Sequence, residues 1–322
     1  MKAVYIEQNG GADALRYGDM PKPIAAAGEA LVKIHASGVN YIDTYHRSGL
    51  YKLPLPAILG TEGAGVVESV GDGVTTVKPG DRVAWAMARG TYAEYQAVPA
   101  KLLVTIPPGV DFQDAAAAML QGMTAHYLTH STFPLSKGQT ALIHAAAGGT
   151  GRLVVQMAKM LGARVIATVG SAAKAEVARK AGADEVILYN DEDFLAETKR
   201  LTGGAGVDVV YDSVGAATFM KSLDCLRARG MLVAFGNASG PAPPLDILLL
   251  SQKGSLFVTR PTLGNYITQR EELDWRAGDL FRWIAEKKLT LLVEHIYKLA
   301  DAAQAHRDLE GRKTTGKLIL QV

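Results

Sequence analysis

The chain has 322 residues, of which 48% are hydrophobic and 20% charged, with a formal net charge of +2 and one cysteine. These are ordinary values for a soluble globular protein of about two domains. They leave no basic excess for nucleic acid or a membrane surface, no disulfide partner for Cys225 and no four-cysteine zinc site. The N-terminus MKAVYIEQNG has no apolar signal core, and no apolar run reaches the ~18 residues of a membrane helix, so the cytoplasm is the expected compartment.

Residues 1 to about 110 are rich in Gly, Pro and Val and poor in helical periodicity. Met1–Ile6, Ala30–Val39, Gly63–Val70, Arg82–Ala86 and Tyr92–Val98 read as short strands. Turn signals separate them at Asn9-Gly10-Gly11, Pro21-Lys22-Pro23, Gly71-Asp72-Gly73 and Lys78-Pro79-Gly80-Asp81. Short strands at this spacing predict a small, partly closed β-barrel. The period changes at Asp111–His130, where strong helix formers place Met119, Met123 and Tyr127 on one face. The domain boundary is expected there.

The stretch Ala141–Lys174 organises the chain. Ala141–Ala147 reads as a buried parallel strand, Gly148, Gly149 and Gly151 as a turn, Thr150–Leu161 as a helix and Arg164–Val169 as the next strand. Glycines let the backbone approach a diphosphate, and the helix N-terminus offers N–H groups and a partial positive charge. An NAD site carries an acid about 20 residues beyond the glycines, at the end of the second strand. Here that place holds Thr168, Val169, Gly170 and Ser171, with Lys174 one turn later, a set that accepts a 2′-phosphate. The expected cofactor is NADPH. The alternation continues through a helix at Ala172–Ala181, strands at Glu185–Tyr189, Val207–Asp212 and Met231–Phe235, and helices at Phe194–Leu201 and Ala217–Arg227. This predicts an α/β fold with a doubly wound parallel sheet, whose ligands lie at the C-terminal strand ends. Ser255–Thr259 reads as the last strand of that sheet and residues 271–288 as an amphipathic helix. Glu294–Tyr297 and Lys317–Val322 read as strands returning to the first domain.

The motifs VNYIDTYHRSGLY at 39–51, GTEGAGVV at 60–67, HAAAGGTG at 144–151, VYDSVG at 210–215, FGNASG at 235–240 and KGSLFVTRP at 253–261 carry a resemblance that runs nearly end to end. The chain resembles the NADPH:quinone oxidoreductases, the zinc-free, zeta-crystallin-like branch of the medium-chain dehydrogenase/reductase superfamily. The resemblance implies a GroES-like catalytic domain over 1–120, completed by 262–322, and a Rossmann domain over 121–261, with the cofactor in the cleft between them. It implies that Gly148, Gly149, Thr150 and Gly151 hold the diphosphate, although relatives commonly have Val where Thr150 stands. Gly170, Ser171, Lys174, Tyr189 and Arg312 would surround the 2′-phosphate. Thr124, Tyr127, Ser213, Phe235, Gly236, Asn237 and Phe257, Val258, Thr259 and Arg260 would line the channel. Asn40 and Tyr45 would face the nicotinamide.

The resemblance also bears on the metal. Zinc-dependent alcohol dehydrogenases of the superfamily have Cys where Asn40 stands and His where Thr61 stands, so no metal is expected here, although Asp43 and Glu62 are kept. Without a Lewis acid the acceptor must take reducing equivalents unaided, as quinones do. Asn40, Tyr45, Tyr51 and Arg260 form the candidate catalytic set. Asn40 and Tyr45 are hydrogen-bond donors for a developing quinol oxygen, and Tyr45 and Tyr51 are expected on a loop. His144, ending a buried strand, reads as a packed residue and not a catalyst. KGSLFVTRP, as an apolar edge strand, predicts a homodimer through the Rossmann sheet. Two other functions fit the same residues: NADPH-dependent reduction of the double bond of enals or enones, and an NADPH-binding structural or RNA-binding protein.

Overall fold

The computed structural model describes every residue, Met1–Val322, and divides into one unit of Met1–Met123 with Tyr266–Val322 and a second of Thr124–Asn265. In chain order the first unit begins with β1 (Lys2–Ile6), β2 (Arg16–Asp19), β3 (Glu29–Val39), α1 (Tyr41–Ser48), β4 (Ala57–Ile58), β5 (Glu62–Val70), β6 (Arg82–Ala86), β7 (Tyr95–Pro99) and β8 (Val104–Thr105). Helix α2 (Phe112–Tyr127), closed by a π-helical turn at Leu128–Thr132, carries the chain into the second unit. There it forms β9 (Thr140–Ile143), α3 (Gly149–Met160), β10 (Arg164–Val169), α4 (Ala172–Lys180), β11 (Glu185–Leu188), α5 (Phe194–Leu201), β12 (Val207–Asp212), α6 (Phe219–Cys225), β13 (Leu226–Ala234), α7 (Leu248–Gln252) and β14 (Phe257–Thr259). The chain then returns as α8 (Arg270–Ala285), β15 (Val293–Lys298), α9 (Ala302–Glu310) and β16 (Lys317–Gln321).

The first unit turns on β3. One edge of this long strand pairs antiparallel with β5 over Ala30–Ser37. The other edge pairs with β7 over Glu29–Lys33 and with β16 over Ala36–Val39. The C-terminal strand is thereby built into the N-terminal sheet, and Leu318 and Leu320 join Val4, Ile6, Val39 and Leu59 in one core cluster. A second cluster gathers Val32, Val67, Val83, Trp85, Val98 and Leu103. Both clusters follow from alternation: every second residue of a half-buried strand is apolar.

The second unit is a six-stranded parallel sheet in the order β11-β10-β9-β12-β13-β14. Its strands are apolar runs, as burial on both faces requires, and Leu142, Ile166, Ile187, Val210, Leu232 and Leu256 form the core under the helices. Strand order reverses between β9 and β12, the kind of place where such sheets bind ligands.

Several boundaries differ from expectation, and three of the differences are instructive. Strand β9 stops at Ile143 and not at Ala147, because Ala145 takes the left-handed φ of 52° and turns the chain toward α3. Helix α6 ends at Cys225, and β13 starts at once at Leu226, so the expected helix to Arg227 is too long. Tyr41–Ser48 is a helix where a loop was expected. Its start is held by Asp43, whose carboxylate accepts from the Asn40 amide at 2.9 Å while the Asp43 amide donates to Asn40 O at 3.0 Å, and its end by Gly49 at a φ of 83°.

Candidate active site

In the second unit, the glycine turn joins β9 to α3. The amide of Ala146 donates to Thr168 O at 3.2 Å, and that of Gly148 to Ala145 O at 2.9 Å. At Gly151, a Cβ would lie 2.3 Å from Ala145 O and 3.1 Å from Ala146 Cα, so only glycine lets the first turn of α3 press against the strand end. Gly148 caps α3 without a side chain, and the helix N-terminus presents backbone donors in the manner of a diphosphate site. Thr150 stands in this first turn.

Gly170, Ser171 and Tyr189 gather where β10 and β11 end. Ser171 caps α4 and accepts a 3.4 Å hydrogen bond from the Lys174 amide. The Tyr189 hydroxyl would lie 2.6 Å from a Cβ at Gly170, so the phenol rests against bare backbone. No carboxylate stands at the end of β10, a donor set that fits a 2′-phosphate. Arg312 belongs to the first unit, in the turn after α9, at a φ of 56°.

His144 ties the strand ends together. Its Nδ1 lies 2.8 Å from Thr168 Oγ1 and its Nε2 3.0 Å from Ser222 Oγ. Ser222 and Thr218 both donate to Asp212 Oδ2, at 3.2 and 2.7 Å. The other oxygen of Asp212 accepts from the Val214 and Gly215 amides at 2.8 and 3.1 Å. This fixes the Ser213 turn. Burial pushes the His144 imidazole down and Asp212 opposes it. A buried ring with both nitrogens engaged is a packed residue and not a catalyst. Phe235 donates its amide to Asp212 O at 2.8 Å, and the Ala238 amide reaches Ser213 O at 3.2 Å, which brings Ser213, Phe235, Gly236 and Asn237 together. Phe257, Val258 and Thr259 form the edge strand β14, and Arg260 follows it at the surface. Thr124 and Tyr127 are buried on α2.

In the first unit, Tyr45 lies on α1 and not on a loop, and it is buried. Tyr51 follows the helix, with its ring edge-on to Tyr45 at 5.3 Å between centroids and its amide bonded to Tyr45 O at 3.1 Å. Asn40 differs from the expected free donor. Its Nδ2 donates to Glu62 Oε2 at 2.9 Å and to Gly38 O at 3.4 Å. Its Oδ1 accepts from Lys317 Nζ at 2.8 Å and Gln121 Nε2 at 3.0 Å. Two donors and two acceptor positions are all an amide has. Asn40 is therefore saturated within its own unit.

Lys317 also pairs with Glu62, and both are almost fully buried. Burial pushes the Lys317 ammonium down and Glu62 opposes that shift. The second oxygen of Glu62 accepts from the Leu120 amide. A Cβ at residue 38 would lie 2.2 Å from Glu62 Oε2 and 2.7 Å from Lys317 Nζ, so Gly38 makes the room for this pair. Sequence patterning did not single out Lys317 or Gln121; the one available signal was a lysine opening the apolar run KLILQV.

Beside this pair lies Asp43, which accepts from the Asn40 amide at 2.9 Å, Thr61 Oγ1 at 2.9 Å and Tyr92 Oη at 3.0 Å. Burial raises its carboxyl to about 6, against those hydrogen bonds. Tyr92 meets His306 Nε2 at 3.1 Å, and Arg47 donates to His306 Nδ1 at 3.0 Å. Burial, with the Arg47 charge, holds His306 down at about 3. The residues do not fit zinc. Asn40 Oδ1 already accepts from Lys317 and Gln121, Thr61 is a neutral hydroxyl donating to Asp43 where a soft ligand would be needed, and the Lys317 ammonium already stands there.

The family model described as alcohol dehydrogenase GroES-like domain matches residues 26–108, and the one described as zinc-binding dehydrogenase matches 149–278. The chain is 47% identical over 321 residues to a quinone oxidoreductase of Pseudomonas aeruginosa, covering 99% of each. It is 42% identical to a 2-haloacrylate reductase of a Burkholderia species, covering 99% of this chain and 98% of the other. Among solved structures, Escherichia coli quinone oxidoreductase complexed with NADPH matches with a TM-score of 0.98 and 44% identity over all of both chains.

Proposed function

The chain belongs to the quinone oxidoreductase family of the medium-chain dehydrogenases/reductases, and from that membership we propose that it uses NADPH to reduce quinones without a metal. The observation that carries this reading is the closed donor set around Asn40, Thr61 and Lys317. An alcohol or ketone needs an electrophile on its oxygen, and this set, an amide, a hydroxyl and an ammonium, has no Cys or His to hold a zinc ion as one. A quinone becomes aromatic on reduction and needs little such help.

NADPH supplies the reducing equivalents when bound. The chain's own part is binding and alignment. The glycine turn and α3 receive the diphosphate, and Gly148, Gly149, Thr150 and Gly151 allow the approach. Ser171, Lys174 and Tyr189, with Arg312, receive the 2′-phosphate. Ser213, Phe235, Gly236 and Asn237, with Thr124, Tyr127 and the segment Phe257–Arg260, shape the remainder of the cofactor site. Tyr45 and Tyr51 supply flat apolar walls and phenol donors for the acceptor. Asn40, being saturated, acts by holding the start of α1 and hence Tyr45. The reaction is assayed as NADPH oxidation with 1,4-benzoquinone; absence of turnover with that and an ortho-quinone would reject it.

A second reading comes from the 2-haloacrylate reductase relative: reduction of an activated carbon–carbon double bond by the same cofactor. Higher efficiency on 2-chloroacrylate or an enal than on benzoquinone would favour it. The edge strand β14 is the proposed dimer contact. It pairs only with β13 in the sheet, and Phe257, Ile247 and Leu248 are exposed in this part of the unit. The cytoplasm is the proposed compartment; no helix is long and apolar enough to cross a membrane.

A further inference from the structure

Beyond the last rung of their ladder, Val169 with Leu188, β10 and β11 stay joined. The Tyr189 amide donates to Val169 O at 3.1 Å, and Asn190 Nδ2 donates to Gly170 O at 2.6 Å. Gly170 has no side chain to keep these two residues away. A Cβ there would lie 2.6 Å from Tyr189 Oη and 3.4 Å from Asn190 Nδ2. Ser171, Tyr189 and Asn190 are all exposed, so this shelf at the strand ends stands open to solvent. Asn190 opens a polar run whose other members, Asp191, Glu192 and Asp193, are acids. Two of those carboxylates are engaged elsewhere. Glu192 accepts from the Leu188 amide at 2.9 Å, while Asp193 accepts from the Leu195 amide at 2.9 Å and pairs with Lys221 at 2.9 Å. The neutral member of the run is the one whose side chain reaches the end of β10.

That neutrality has a chemical consequence. A carboxylate at the end of the second strand holds the ribose hydroxyls of NAD and repels a phosphate. Aspartate has the size of asparagine, so at position 190 it would set a negative charge beside Gly170 O, with no hydrogen to donate. The amide donates one hydrogen to Gly170 O, keeps a second and adds no charge. We propose that Asn190 is a specificity-determining residue of the cofactor site: it holds Gly170 against the Tyr189 phenol and keeps the shelf neutral, which selects a cofactor with a 2′-phosphate over one with a free 2′-hydroxyl. Gly170, Ser171, Lys174 and Tyr189 receive that phosphate in the reading above, on which this role of Asn190 rests.

The test is fluorescence titration of NADPH and NADH into wild type, Asn190→Ala, Asn190→Asp and Lys174→Ala. The readout is the ratio of the two affinities. The two cofactors differ only in the phosphate, so a purely structural loss weakens both alike and leaves the ratio unmoved. Asn190→Ala removes the amide alone and should lower the ratio about fivefold, the size of one neutral hydrogen bond. Asn190→Asp should lower it more than about tenfold, by weakening NADPH and leaving NADH equal or tighter. The alanine variant is decisive, because a carboxylate placed near any phosphate repels it. An unchanged ratio in Asn190→Ala overturns the proposal, whether both cofactors bind as before or both bind more weakly. Lys174→Ala tells this failure from a failure of the phosphate site itself. If it lowers the ratio while Asn190→Ala does not, the phosphate site stands and the role of Asn190 falls. If neither variant lowers it, both fall. If Asn190→Ala alone lowers it, Asn190 keeps its role and Lys174 leaves the site. Titration reads binding, so the result holds whatever acceptor the enzyme reduces.

Discussion

His306 shows how one buried ring shapes the acid response of the protein. Arg47 donates to its Nδ1, and the ring sits at Tyr92, which donates onward to Asp43. A proton added to His306 would stand buried beside a guanidinium, hence its fall to about 3. A depressed histidine contributes stability that is complete above its unfolded value near 6.5 and lost as pH falls toward 3. His46, held down at about 4 mainly by burial, acts in the same direction. Asp43 acts in the opposite one: raised to about 6, its contribution is complete below 3.8 and lost as pH rises through 6. It therefore offsets part of the histidine effect between those values. We expect stability to fall between pH 6.5 and 3, with His306 supplying roughly 5 kcal/mol of the fall. Denaturant melts across pH should show a shallower acid limb for His306→Gln; an unchanged limb would place the acid sensitivity elsewhere. In the proposed cofactor site, Lys174 and Arg312 are the cations proposed for the 2′-phosphate. Replacing both by Ala should cut NADPH affinity by about 2 kcal/mol, the size of one or two charge-assisted hydrogen bonds, and leave NADH nearly unchanged. A double variant that kept its preference, measured by titration of both cofactors, would move the phosphate pocket.

Among the elements, the β9–α3 turn is the least tolerant of change. A Cβ at Gly151 meets backbone, and backbone cannot swing aside as a side chain does. Gly151→Ala should cost about 2 kcal/mol of stability by overpacking and weaken NADPH more than about tenfold by moving the N-terminus of α3. Unchanged cofactor binding in a titration would separate the turn from the diphosphate. The same turn shows what was readable in the sequence. Its glycines, the apolar strands beside it and the missing acid at Gly170–Ser171 are local signals, so the parallel sheet and its cofactor class could be read directly. Strand β9 came out too long because Ala145 takes a left-handed turn for which an alanine gives no warning. Helix α1 was missed for another reason. Tyr41–Ser48 is short and mostly polar, and what starts it is the Asp43 carboxylate reaching back to the Asn40 amide, a pattern of two residues three apart. The buried group of Asn40, Glu62, Gln121 and Lys317 was illegible because its members lie up to 277 positions apart. The pairing of β16 with β3 brings Lys317 to Asn40, that of β5 with β3 brings Glu62, and α2 carries Gln121.

For the whole molecule, assembly and metal independence are both open to measurement. Pairing of β14 with its twin should give a dimer in sedimentation at working concentrations, and Phe257→Lys should shift it toward monomer, since a charge on an exposed edge blunts strand pairing. A wild-type monomer at every concentration would remove the dimer. Metal-free quinone reduction with NADPH is the property on which the proposed chemistry stands. It is measured by treating the protein with a strong chelator, then comparing NADPH oxidation by 1,4-benzoquinone with NADP+ reduction by ethanol, before and after added zinc. Full quinone turnover after chelation is expected, with none on ethanol and no gain from zinc. Loss of quinone turnover on chelation with recovery on zinc, or turnover of ethanol, would contradict it.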